Sequence, residues 1–383
     1  MKKICYVMTI SLTVRAFFIP QLKRLAQDHD VTVICDNDPL LQQELGPSVR
    51  YLPVAIPRGV EFRKTITAIK DLKKLFVKEQ YDLVQYSTPN AAFCAAIAAK
   101  AAKVKLRNYH LMGFRYLGAH GIGRFILKTL EKIVCKLSTH IECVSHSNRT
   151  LGVQEKLFPE EKAIVVAHGS TGGVDLKRFD IQKKQVWRDD IRQSLGIAAD
   201  DMVFGFAGRI TRDKGINELL MAFSQMPKDC KCLIVGSQEG VDTLDSALWE
   251  AANANPNILI LPAVSQIAPY YAAMDVLLLP SYREGFGNVI IEAGALGTPS
   301  IVSQIPGPSD VVLDGITGLT VPAKDPAALA RAMAYIQTQD RYKSMGKEAY
   351  EFVSRYFDGE LLCEKIVERK QQLLEQIKEQ TLV

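Results

Sequence analysis

Long apolar runs, tryptophan and ordered cysteine spacings are what this chain has least of. It holds two Trp and eight Cys among 383 residues. No stretch approaches the ~18 apolar residues of a membrane-spanning helix; the nearest, Ala91 to Ala102, is broken by Lys100. Met1-Lys2-Lys3 passes into Ile4-Cys5-Tyr6-Val7-Met8, too short for the apolar region of a secretory signal and without a cleavage site. The cysteines are scattered, mostly inside apolar runs, and Cys230-Lys231-Cys232 has no second pair with which to hold zinc. A reduced, cytoplasmic protein with structural thiols is expected, so the sequon Asn148-Arg149-Thr150 has no significance. Solenoid repeats and low-complexity tracts are also missing.

What is present is ordinary in bulk and uneven in distribution. Apolar content of 48% and charged content of 23% fit a globular protein, and the length favours two domains over one core. Residues 1–180 hold 27 Lys/Arg against 16 Asp/Glu, a net of +11, whereas the remainder holds 20 against 26, a net of −6. One half therefore suits an anionic surface, either lipid headgroups or nucleic acid. Hydrophobic patterning predicts strands near 7–9, 31–35, 49–54, 82–86, 106–111, 141–144 and 164–166. Helices are expected over 14–27, 62–79, 90–102 and 122–137. The pattern lapses into Gly, Asp, Gln and Lys between Gly169 and Ile197, the best linker candidate. It restarts with strands near 203–207, 231–235, 257–260, 275–279 and 298–302, and turns helical from Pro326 on. This alternation means parallel sheets wrapped by helices.

The richest segment is Ser281-Tyr282-Arg283-Glu284-Gly285-Phe286-Gly287-Asn288, running on through Val289 to Glu292. The apolar run Val276 to Leu279 precedes it, and Val289, Ile290, Ile291, Ala293 and Leu296 suit one helix after it. Glu284 should sit at a strand exit and Glu292 about two turns into the helix, with helix N–H groups forming an anion site between them. An anion flanked by two carboxylates that accept sugar hydroxyls is the chemistry of a nucleotide-sugar; a surface turn with two solvated glutamates is the alternative. Upstream, Val203 to Ala207 reads as a buried strand, followed by Gly208-Arg209-Ile210-Thr211-Arg212-Asp213-Lys214-Gly215. Arg209 and Lys214 are two cations in a strand-to-helix turn, where a diphosphate needs them.

Both elements in this order resemble the retaining glycosyltransferases of family 4, with their E-x7-E signature and Arg/Lys diphosphate clamp. Ser87-Thr88-Pro89, Leu130-Glu131-Lys132, Gly169-Ser170 and Gly173-Val174-Asp175 look like the subgroup that builds capsular and O-antigen polysaccharides. The resemblance implies the GT-B fold, two Rossmann-like parallel-sheet domains facing a central cleft. Residues 1–180 would be an acceptor-binding domain, completed by the C-terminal helix 359–383, and residues 181–358 a nucleotide-sugar domain. It implies transfer of a hexose or N-acetylhexosamine from a UDP-sugar to a polyprenyl-diphosphate-linked glycan. Glu284 would then hold the sugar's hydroxyls, Glu292 the ribose, and Arg209 and Lys214 the diphosphate. Gly208, Gly285, Phe286, Gly287, Asn288 and Val289 would line the donor, with Val264 beside the base. A sugar-nucleotide 2-epimerase of similar fold is an alternative reading of the same elements. A nucleic-acid-binding protein is a remote one, since no such module is recognisable.

Smaller signals complete the expectation. Asp36-Asn37-Asp38 has the D-x-D form of metal-dependent glycosyltransferases, but a turn former fits its Pro-containing loop better, and Arg209 with Lys214 can do a metal's work. No metal and no other cofactor is expected. Relatives often carry a histidine near His110 that contacts the donor sugar; a packed core histidine is the alternative. The first loop, Thr9 to Arg15, lacks the Gly-Gly pair common in relatives, so Ser11 and Thr13 are assigned to the acceptor side, with Thr13 as a helix cap. Arg124, Lys128, Lys132 and Lys136 recur every four residues. They form either a solvated face or a dock for anionic lipid at the inner face of the plasma membrane.

Overall fold

The computed structural model describes residues 1–59 and 61–379, without the side chains of residues 339 and 376–379. It divides into two compact units: Met1–Gly172 with the chain from Glu360 on, and Gly173–Gly359. The first boundary lies eight residues before the expected one. Val174 N donates to Phe357 O at 2.8 Å and Gly359 N to Val174 O at 2.9 Å, so the chain is laced into the second unit from 174. The C-terminal helix spans Gly359–Glu379; residues 380–383 of its expected range lie outside the described residues.

The first unit is a seven-stranded sheet of β1 (Lys3–Val7), β2 (Asp30–Cys35), β3 (Val49–Pro53), β4 (Leu83–Tyr86), β5 (Leu106–Leu111), β6 (His140–Cys143) and β7 (Ala163–Val165). Its order is β3-β2-β1-β4-β5-β6-β7, all parallel. Side chains alternate between faces. Cys5 and Val7 join one buried cluster with Ala91 and Ala95, while Ile4 and Tyr6 join another with Phe18, Leu22, Val367 and Leu373. The C-terminal helix is thus part of the first core. Its Lys370, fully buried, donates to the buried Glu142 of β6. Breaking such a pair from one side leaves a stranded charge and costs about 3–5 kcal/mol.

The second unit repeats the plan with β8 (Met202–Ala207), β9 (Cys230–Val235), β10 (Ile258–Leu261), β11 (Val276–Leu279), β12 (Ser300–Ser303) and β13 (Gly318–Val321). The order β10-β9-β8-β11-β12-β13 is again parallel. In both sheets the strand that opens the unit is central and the winding direction reverses beside it. In such sheets ligands bind outside the carboxyl ends at that reversal.

Several expectations give way. The stretch 169–197 is no plain linker, because the helix Lys184–Ser194 lies within it. Few of its residues are apolar, so periodicity is silent. Charge holds it instead: Arg188 and Arg192 reach the two oxygens of Asp275 at 2.7 and 2.8 Å. The helix expected over 14–27 is two, Ser11–Phe17 and Ile19–Leu25, because Pro20 cannot donate a backbone hydrogen bond and starts the second. Helices Pro39–Leu45 and His146–Gln154 and strand β13 were not anticipated.

The helix Gly121–Leu137 differs most from expectation. Arg124 and Lys128 are not simply solvated, since both pair with Glu155, at 3.8 and 2.7 Å. The apolar face is split: Val134 is buried, but near the helix start Ile122 is 80% exposed and Phe125 73%. On its inner side Glu131 is buried and its Oε1 has no hydrogen-bond partner among the described residues. Burial pushes its pKa up to about 7, against a smaller opposing effect of a Tyr109 hydrogen bond. A carboxyl whose pKa is higher folded than unfolded stabilises least when ionised in both states, so stability falls as pH rises from ~4.3 through about 7. Glu131→Gln is therefore expected to stabilise the protein by roughly 2–3 kcal/mol at pH 8 and by little near pH 4, measured by urea unfolding at both pH values.

Candidate functional site

Strands β8 and β11 are neighbours across the reversal in the second sheet, paired through Phe204–Val276 and Gly205–Leu277. The loops leaving their carboxyl ends, from Gly208 and from Pro280, are therefore forced together. A Cβ on Gly215, whose φ is +74°, would stand 2.0 Å from Pro280 O. Tyr282 N donates to Asp213 O at 2.9 Å, and Arg283 Nη2 reaches Asp213 Oδ2 at 2.9 Å. The loop after β9 closes in as well, since a Cβ on Gly236 would lie 1.7 Å from Gly208 O.

At the centre Lys214 Nζ donates to Glu284 Oε1 at 2.5 Å, and Ser281 Oγ donates to the same oxygen at 2.8 Å. The two charged side chains are 18% and 13% exposed, so the pair is largely sheltered yet reachable. Arg209 is exposed one loop position beyond Gly208. Burial works to raise the Asp213 pKa, but the Thr211 hydroxyl and the charges of Arg283, Arg209 and Lys214 outweigh it and hold the carboxyl below its usual range. The loop is thus cationic with one internal counter-charge.

Glu292 belongs to the helix Asn288–Gly294, which is only seven residues long. It is the fifth residue, not two turns in, and Leu296 falls outside. So short a helix aligns few peptide dipoles, which leaves the side-chain cations as the stronger anion determinant. Tyr271 Oη donates to Glu292 Oε2 at 3.0 Å. Burial raises the Glu292 pKa, with the Tyr271 hydrogen bond and the charge of Arg178 opposing. Arg178 Nη2 also donates to Ser265 O at 3.5 Å, which places it near the loop of Val264. Phe286 is buried edge-on against Phe357, ring centroids 5.5 Å apart, so only its backbone can meet a ligand. Gly287, with φ +95°, caps the helix, and Gly285, Asn288 and Val289 flank it. Ser281, Tyr271, Arg178 and Asp213 were not singled out from sequence; only Asp213, between the two cations, carried a local signal.

The remaining candidates lie in the first unit. Ser11 is consumed internally: its N–H donates to Asp36 Oδ1 at 2.6 Å and its Oγ to Asp38 Oδ2 at 2.7 Å. Asp38 also caps the helix Pro39–Leu45 by accepting from Leu40 N at 3.1 Å, and takes Arg15 Nη1 at 2.5 Å. The D-x-D is a loop clasp and cap. Among the described residues no group of three or more His, Cys, Asp or Glu is arranged for a metal ion. Thr13 is not the cap; the helix Ser11–Phe17 begins at Ile10 without a side-chain cap, and Thr13 sits inside its first turn. His110 is 6% exposed, with Nε2 at 3.2 Å from Thr171 Oγ1. Burial pulls its pKa down to about 4, so it is neutral at pH 7.

Two doubly wound parallel sheets, the second bearing a cation–carboxylate pair at its reversal, have the GT-B architecture of glycosyltransferases. The family model "Glycosyltransferase Family 4" matches residues 21–171, and "Glycosyl transferases group 1" matches 188–352. The capsular polysaccharide biosynthesis glycosyltransferase CapM of Staphylococcus aureus is 29% identical over 84% of this chain and 86% of its own. The putative teichuronic acid biosynthesis glycosyltransferase TuaC of Bacillus subtilis is 30% identical over 82% and 76%. A UDP-Gal:α-D-GlcNAc-diphosphoundecaprenol α-1,3-galactosyltransferase of Escherichia coli is 26% identical over 82% and 81%. Among solved structures, Anabaena HepE in complex with UDP-glucose superposes with a TM-score of 0.77 at 19% identity, over 97% of this chain and 100% of that one. The chain belongs to glycosyltransferase family 4 and is a glycosyltransferase of the capsular type.

The crowding at the reversal is directly testable. Gly236→Ala should destabilise the protein by about 1–3 kcal/mol, because the Gly208 carbonyl that its Cβ meets is backbone and cannot swing away. Gly196→Ala, where nothing lies within 4 Å but φ is +66°, should cost less, at most about 1 kcal/mol, in parallel thermal unfolding.

Proposed function

We propose that the protein is a retaining, metal-independent glycosyltransferase that moves a hexose or N-acetylhexosamine from a UDP-sugar to a polyprenyl-diphosphate-linked glycan. The second unit binds the donor and the first unit the acceptor, at the inner face of the plasma membrane. The observation that carries the reading is the sheltered Lys214–Glu284 pair at the reversal of the second sheet, beside an exposed Arg209. A diphosphate entering there takes the ammonium from the carboxylate, and Glu284 is released to accept sugar hydroxyls. The names of the Escherichia coli relative and of the HepE complex support the choice of donor and acceptor.

Transfer requires negative charge to gather on the departing diphosphate as the glycosyl bond stretches. Lys214 and Arg209 stand where they can meet that charge without a metal. Glu292, held by Tyr271, is oriented to take the ribose hydroxyls, and binding of this kind supplies rate through positioning. His110, neutral at pH 7 and held by Thr171, carries no charge. No described helix is long and apolar enough to cross a membrane, so the acceptor is met from the bilayer surface.

The decisive assay follows free UDP after incubation with UDP-sugars, with and without polyprenyl-diphosphate-linked acceptor. Release should depend on acceptor and survive EDTA. Arg209→Ala and Lys214→Ala should each lower turnover by about a hundredfold or more, and should abolish the thermal stabilisation that UDP gives the wild type. Full activity in either variant, or chelation loss restored by Mn²⁺, would reject the assigned clamp.

A further inference from the structure

The first unit carries a cavity of about 510 Å³ that the transferase reading leaves without a task. It lies among the helices Phe62–Glu79, Pro89–Ala101 and Gly121–Leu137. Phe62, Ile66, Ile69, Phe93, Ile97 and Ile126 make its walls apolar. Phe62 is 78% exposed, Ile66 37% and Ile126 50%, and the uncovered surface continues along the third helix to Ile122 and Phe125. Apolar surface of this extent, open to water and contiguous, marks a place that something apolar covers.

The charges around it indicate what that is. Arg115 lines the cavity, is exposed, and donates a weak hydrogen bond to Asn90 Oδ1 at 3.5 Å. Arg63 is exposed in the turn next to Phe62. Of the two lining carboxylates, Glu61 is matched by Lys64 at 2.5 Å, and Glu131 is buried in the wall beneath. The rim is therefore cationic and the interior apolar, which is complementary to an anionic head on an apolar tail. A single groove suits one chain, whereas a phospholipid brings two.

We propose that this groove holds the first isoprene units of a polyprenyl diphosphate, with Arg115 at the phosphate end. The proposal rests on the lipid-linked acceptor reading given above, and it places the lipid on side chains the sugar chemistry does not use.

The test is calorimetric binding to the full chain of dimethylallyl, geranyl and farnesyl diphosphates, with UDP in excess so that the diphosphate clamp proposed in the second unit is filled. Affinity should rise by roughly tenfold for each isoprene unit added, as apolar area is removed from water. Ile66→Gln combined with Ile126→Gln, both at exposed positions, should flatten that rise; Arg115→Gln should weaken all three ligands equally and leave the rise intact. Affinities independent of chain length would overturn the proposal. So would equal competition by dioleoylphosphatidylglycerol vesicles, which would make the groove a general acidic-lipid surface, or self-association of the chain that the Ile66/Ile126 variant abolishes. Binding is read without turnover, so these outcomes bear on the groove alone. Absence of UDP release from any UDP-sugar, even with polyprenyl-diphosphate-linked acceptor present, would reject the transferase reading and leave the chain-length dependence of binding to judge the groove.

Discussion

The reversal of winding between β8 and β11 is the constraint from which the rest of the second unit follows. Parallel strands send all their exits to one edge of the sheet, and a reversal leaves two of those exits with no helix packed between them. Here they are the loops of Gly208–Gly215 and Pro280–Gly287. Their backbones come so close that glycine is required at 215, and the loop after β9 presses on Gly208 so that glycine is required at 236 as well. The same closeness sets Lys214 against Glu284, two residues seventy positions apart in the chain. A largely sheltered ion pair is a poor source of net stability, because desolvation offsets most of its attraction. Its presence is better understood as two charges held ready for a partner than as a brace.

The first sheet has the same order, and its reversal between β1 and β4 is filled differently. Thr9 and Thr88 share a hydroxyl–hydroxyl hydrogen bond of 2.7 Å across it. Ser11, four residues past the end of β1, is held by Asp36 and Asp38. Hydroxyls and carboxylates knit this loop to its neighbour, which explains how the chain manages without a glycine pair there. Identical topologies thus present opposite surfaces: one reversal is closed by neutral and acidic hydrogen bonding, the other is lined with cations.

What could be read from the sequence divides along a physical line. Buried parallel strands such as β5 and β8, and the strongly amphipathic helix Phe62–Glu79, announce themselves because burial dictates their residues directly. The turn chemistry around Arg209, Lys214 and Glu284 was legible for a similar reason, since glycines and charges at strand exits have few other uses. The helix Lys184–Ser194 was invisible, being held by Arg192 and Arg188 on an Asp275 more than eighty residues distant. Tyr271 and Ser281 were equally silent, for a hydroxyl's partner is fixed by tertiary placement. In the helix Gly121–Leu137 the basic stripe was legible, but the pairing of Arg124 and Lys128 with Glu155 and the exposure of Ile122 and Phe125 are decided by neighbours that periodicity does not name.

The hydrogen bonds that join Val174 to Phe357 and Gly359 bring the entry and exit of the second unit side by side. That unit is consequently an insertion within the first, with adjoining ends. Its whole sheet, loops and ion pair can be removed or replaced by cutting at two neighbouring places, while β1 to β7 and the helix that bears Lys370 remain continuous in space. A chain arranged in this way lets one half diversify by exchange of a cassette without disturbing the packing of the other.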